Sequence, residues 1–303
     1  MISEIEQVIL VGVEPLYYLI DSQKRIFWMY LLSSGLIALG LVLIRRGGVF
    51  DALKAAVSPK VWLAPSSRVD FYWFFTNHLI RVLLVVPVLG GGLTLSISIN
   101  RVLYQWFGAG DFWQLPDILL SVVFTVVLFV MEDLSRFLIH FAYHKIPFLW
   151  RFHAIHHSAI VLTPITLYRI HWLEMIINSV RSLIVIGGVS ALFIYLFDNA
   201  IHPVTILGAS VIGFLFNMAG ANLRHSHVWL GYGWLERWVV SPAQHQVHHS
   251  IAREHIDKNF GATLAVWDRL FGVLVLSQDT RVEGFGLAGK KVEQSFLSQQ
   301  TGL

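Results

Sequence analysis

The chain has 303 residues, 55% of them hydrophobic and 14% charged, with a formal net charge of +3 and no cysteine. A soluble domain carries roughly 25% charged residues, so this composition points to a membrane protein. It excludes disulfides, thiolate zinc sites, iron–sulfur clusters and a cysteine nucleophile, and so few charges leave no footprint for nucleic acid.

The first 26 residues hold four acidic residues and no basic stretch ahead of the first apolar run, unlike a cleavable signal peptide. Five stretches then suit spans of about 20 apolar residues. They are 26–44, a segment within 71–99, 117–131 running on towards His140, 176–197 and 203–219. The last two, separated by "DNAIH", predict a tight membrane hairpin. Arg45, Arg46, Lys54, Lys60 and Arg68 lie between the first two spans, against Arg101 alone between the second and third. Basic loops mark the cytoplasmic side, which puts the N-terminus outside and segments 140–175 and 220–303 inside. The expected fold is all-α and integral to the membrane, with about four to five transmembrane helices and a cytoplasmic His-rich helical cap. Its expected parts are a two-span region over 1–116, a catalytic domain over 117–280 and a tail over 281–303.

Most of the fourteen histidines fall in those two inner segments. His140 and His144 sit in "HFAYH", His153, His156 and His157 in "HAIHH", and His245, His248 and His249 in "HQVHH". Roughly 0.03 copies of His-x-x-His-His are expected by chance, so two copies are a specific signal. On a helix, i and i+4 share a face, whereas neighbours diverge by about 100°. His156 and His157 are therefore expected to serve different metals or different edges of one site. Eight imidazoles exceed what one metal uses and suit two metals at four or five nitrogens each. His225, His171 and His227 are further candidates, as ligands or as supports of ligands. Asp133, Arg136, His140 and His144 form one helical stripe, so Asp133 is expected either to hold a ligand imidazole or to pair with Arg136. His78, His202 and His255 read as structural.

These boxes, with "PFLWRFHAIHHS", "RIHWLE" and "NFGATLAVWDRLFG", resemble the fatty acid hydroxylase/sterol desaturase superfamily of membrane diiron oxygenases. The resemblance covers roughly 130–275, and the alkylglycerol monooxygenase branch is a near candidate. It implies that the eight boxed histidines and His225 bind two non-haem iron ions. It also implies O2-dependent attack on a lipid C–H bond, giving hydroxylation or desaturation. The electrons would come from an external donor, such as a ferredoxin or a cytochrome with its reductase. Two positions depart from the family pattern. His225-Ser226-His227 stands where many members have His-Ser-Asn, and Trp172 follows His171 where many have Pro. A zinc-dependent membrane hydrolase and a His-rich metal transporter are the rival readings. The first needs a general base and the second mid-membrane ligands on broken helices.

Overall fold

The computed structural model of the chain describes residues 15–45, 47–82, 92–110, 113–197, 202–207, 209–289 and 295–303. Its helices are α1 Trp28–Ile44, α2 Val49–Ala56, α3 Pro59–Trp62, α4 Pro65–Ile80, α5 Gly92–Phe107, α6 Asp117–Lys145, α7 Pro147–His157, α8 Trp172–Phe197, α9 Val211–Met218, α10 Pro242–His248 and α11 Val266–Leu270.

Among the described residues, α6 and α8 are long and apolar enough to cross a membrane. At 1.5 Å per residue they reach about 44 and 39 Å, beyond the ~30 Å hydrocarbon core. Both leave large apolar side chains uncovered, such as Ile118, Leu119 and Val122 on α6 and Ile184 and Leu192 on α8. They meet through Leu120, Phe124 and Phe193. Glu132 joins them as well, accepting from Arg181 at 3.2 Å and from Ser182 at 3.0 Å. Helix α5 packs on α8 at Gly187, where a Cβ would meet Leu95 at 3.0 Å.

For the other three expected stretches, the described residues show no single helix as long as α6 or α8. Helix α1 is apolar, but its 17 residues rise only about 26 Å. Segment 71–99 is divided between α4 and α5, and 83–91 lie outside the described residues. Helix α4 buries Ser66, Ser67, Asp70, Asn77 and His78, so its inner face is polar and belongs to the protein interior. Segment 203–219 begins with a two-residue antiparallel ladder, Thr205–Ile206 against Ala209–Ser210, followed by the eight-residue α9. Pro203 and the β-branched run Val204–Thr205–Ile206 disfavour helix there. Of the expected hairpin, the described residues show α8 as the long helix and a shorter, irregular stretch within 202–219, where Val204 N–H donates to Thr125 Oγ1 of α6 at 2.8 Å.

The C-terminal end of α6, all of α7, the start of α8 and the helices after α9 gather at one end of the α6–α8 pair. Residues beyond 280 pack onto this end as well. Ile251 N–H donates to Gly284 O and Leu303 N–H to Arg151 O.

Candidate metal centre

Each box sits at the end of a helix whose start is fixed locally. Pro147 opens α7, where its missing N–H costs nothing. Ser241 caps α10 in a reciprocal capping box with Gln244, with Pro242 at the first position. Glu236 fixes that cap from behind, accepting from Ser241 Oγ and Ser277 Oγ, both at 2.6 Å. The aromatic stretch 229–238 thus supplies, through Glu236, the mount of the third box.

The imidazoles converge into two groups, within each of which the candidate ligand atoms all lie within 4.8 Å of one another. Group A is His140, His144, His153, His157 and His248, and group B is His156, His225, His245 and His249. The division follows helix geometry. The second box gives its i,i+4 pair, His153 and His157, to group A and His156 to group B. The third gives its i,i+4 pair, His245 and His249, to group B and His248 to group A. Each box therefore completes the other's group.

The outer nitrogens are held in a way that fixes the inner ones. His140 Nδ1 donates to Phe260 O at 2.7 Å, His248 Nδ1 to Lys258 O at 2.8 Å and His156 Nδ1 to Arg169 O at 3.2 Å. A carbonyl can only accept, so each of these rings carries its proton on Nδ1 and keeps the Nε2 lone pair free. His153 Nδ1 lies 3.1 Å from Glu174 Oε2, and His144 Nδ1 lies 3.3 Å from Asp257 Oδ1. Asp257 and Asn259 adopt φ of 60° and 56°, which Asp and Asn tolerate, and they flank Lys258, whose carbonyl holds His248.

Three observations fit metal binding. His144 Nε2 and His248 Nε2 are buried without a hydrogen-bond partner. In group B the Nε2 atoms of His225, His245 and His249 stand 3.1–3.2 Å from one another. Nitrogens about 2.1 Å from one ion, at angles of about 90–110°, lie roughly 3.0–3.4 Å apart. Burial also pushes His153 and His156 down to about 3 and holds His157, His225, His245, His248 and His249 well below 6.5, in the neutral form that binds metal.

Four expected candidates lie elsewhere. Asp133 neither holds an imidazole nor pairs with Arg136; it accepts from Thr263 N–H, Leu264 N–H and Trp267 Nε1, each at 3.0 Å. Arg136 pairs with Glu132 at 3.2 Å. His171 is buried outside both groups, with Nε2 on Gln300 O and Nδ1 accepting from Leu173 N–H. His227 is exposed: Ser226 is extended, so His225 and His227 leave the chain on opposite sides. His78 bonds Tyr18 OH and His255 bonds Thr280 Oγ1.

Sequence reasoning missed the supports. Glu174 and Asp257 are separated from their imidazoles by 21 and 113 positions, and no local pattern joins them. Asp70 was missed too; it accepts from Arg169 Nε at 2.6 Å and so holds the residue whose carbonyl orients His156. The Ser241-x-x-Gln244 capping box was the one legible signal among them.

A cavity of about 350 Å³ opens on group A between His144, His157 and His248, with Trp150, Ile256 and Leu287 among its walls.

Residues 125–273 match the fatty acid hydroxylase family. The chain belongs to the fatty acid hydroxylase/sterol desaturase superfamily. All nine converging imidazoles lie within the matched region. The chain is 29% identical over 183 residues to an ornithine lipid hydroxylase of Rhizobium tropici, covering 59% of this chain and 50% of the relative. It is 27% identical over 192 residues to the alkylglycerol monooxygenase of Homo sapiens, covering 62% and 38%. Identity to the human cholesterol 25-hydroxylase is 28% over 169 residues, covering 53% and 54%. The chain spans about half or less of the length of these relatives. No solved structure matches it.

Proposed function

We propose that this hydroxylase-family chain is a membrane-bound, non-haem diiron oxygenase that hydroxylates a lipid C–H bond with O2 and electrons from an external donor. The observation that carries this reading is the convergence of nine imidazoles, seven buried and two half-buried, in two crossed groups. All-imidazole donor sets suit iron as well as zinc, copper and nickel, and the relatives' names select oxygen chemistry on lipids.

When bound, two iron ions would supply the O2 activation and redox chemistry that side chains cannot. The chain's own residues do the rest. His140, His144, His153, His157 and His248 would hold one ion, and His156, His225, His245 and His249 the other. Glu174, Asp257 and the carbonyls of Phe260, Lys258 and Arg169 keep the rings turned inward. The cavity beside His144, His157 and His248 receives the reacting part of the substrate and limits water around it. A hydrolase needs a general base near the metal, but Glu174 and Asp257 are each already committed to an imidazole.

We also place the boxes on the cytoplasmic side. The charge rule supports this reading, because basic Arg45 lies at the box end, where its Nη2 donates to Trp229 O at 3.2 Å. The test is anaerobic purification, iron determination, and incubation with O2, a reductase–ferredoxin pair and an ether lipid, an ornithine lipid or cholesterol. A product heavier by one oxygen atom, labelled from 18O2, is expected. Iron-loaded protein that leaves every lipid unchanged would overturn the reading.

A further inference from the structure

A second cavity, of about 380 Å³, lies away from the chamber beside group A. Helix α1 contributes Ser34, Gly35 and Ala38, α2 contributes Ala55 and Ala56, and segments 162–164 and 222–228 close it. Its lining contains no Asp, Glu, Lys or Arg. Most of its polar groups are already used. Asn222 Nδ2 donates to Arg25 O, Ser226 Oγ to Leu223 O, and Thr163 caps the turn at Pro164–Tyr168.

Two polar groups remain. Ser34 is 4% exposed, and its hydroxyl has no hydrogen-bond partner. A buried hydroxyl without a partner is costly, and here it lines an apolar space. The second is the His227 imidazole, on the face of segment 225–227 opposite His225. The cavity therefore backs onto group B. Ligand sites are commonly apolar spaces of about 300–1,000 Å³ with a few placed polar groups.

The surroundings select the occupant. Helix α2 has no buried residue, and Phe50 and Leu53 are 78% and 57% exposed. Leu32 and Leu36 on α1 are 54% and 60% exposed. Two helices with uncovered large apolar side chains flank the cavity, and α2 carries exposed Asp51 and Lys54 beside its apolar residues, the arrangement of a wall at the bilayer interface.

We infer that this cavity is a lipid site: it takes one alkyl chain of a bilayer lipid, with an uncharged oxygen (hydroxyl, ether or carbonyl) set between Ser34 and His227. The site is separate from the chamber at group A and does not depend on the oxygenase reading.

The test is photolabelling of the full chain in phosphatidylcholine vesicles. One probe is a palmityl alcohol with a mid-chain diazirine, and the other is the matching hydrocarbon. Peptide mapping is expected to place the label on α1 and α2. Ala38→Phe and Gly35→Leu, which fill the cavity, should each cut labelling about tenfold, equivalent to about 1.4 kcal/mol. Nothing lies within 4 Å of a Cβ placed on Gly35, so that variant has room to fold. Both variants should keep the metal content of the unsubstituted protein. Ser34→Ala and His227→Leu should lower labelling by the alcohol about three- to tenfold and leave the hydrocarbon's unchanged. Labelling confined to other segments, or unaffected by both filling variants, overturns the site. Equal effects of the polar variants on both probes overturn the assigned oxygen contact. Loss of iron or turnover with labelling intact would count against the oxygenase and leave the lipid site standing.

Discussion

Adjacent residues do different work at the two groups, because neighbours on a helix point about 100° apart. Glu174→Ala frees His153 to rotate and is expected to weaken metal binding 10–100-fold in a chelator competition. Asp133→Ala is expected to act otherwise. It strips the acceptor from Thr263 N–H, Leu264 N–H and Trp267 Nε1 and should cost about 3 kcal/mol in denaturant unfolding while metal content stays unchanged. The histidine grouping was legible because periodicity carries it: i,i+4 pairs stay together and the odd residue goes elsewhere. The role of Asp133 was not legible. Its stripe with His140 and His144 is real on α6, but residues 263–267 fold over that face and claim the carboxylate. Glu174 and Asp257 were missed for the converse reason, since only tertiary packing brings them to an imidazole.

At the scale of elements, the support of group B runs through a buried ion pair. Arg169 and Asp70 are both 0% exposed, and Arg169 also donates to Ser158 Oγ and Ser66 O. Removing one partner strands the other charge. Asp70→Ala should therefore cost about 3–5 kcal/mol by equilibrium unfolding and reduce metal in group B through the displaced Arg169 carbonyl. Sequence reading found α6 and α8, whose apolar runs are long and interrupted by few charges. The other expected stretches are shorter or interrupted among the described residues, and hydropathy alone does not separate lipid contact from burial. In α4 the apolar residues share a helix with a buried polar face, and segment 203–219 mixes proline and β-branched residues into an otherwise apolar run.

For the whole molecule, many neutral histidines are stored in one apolar end. Burial lowers His153 and His156 from 6.5 to about 3, so the unfolded chain binds more protons than the folded one between those values. Stability of the metal-free protein is then full above about pH 6.5 and is lost as pH falls from there towards about 3. Thermal unfolding in detergent across that window should show a steadily falling Tm, and a flat profile would contradict the buried neutral cluster. The central claim is that the two boxes cross to build two separate metal sites. Iron determination on anaerobically purified protein tests it most directly, with His144→Ala/His248→Ala and His225→Ala/His249→Ala variants beside the unsubstituted chain. About two irons per chain are predicted, falling to about one in either double variant and to none when all four changes are combined. A single ion lost equally in both double variants, or iron content that neither changes, would contradict the account.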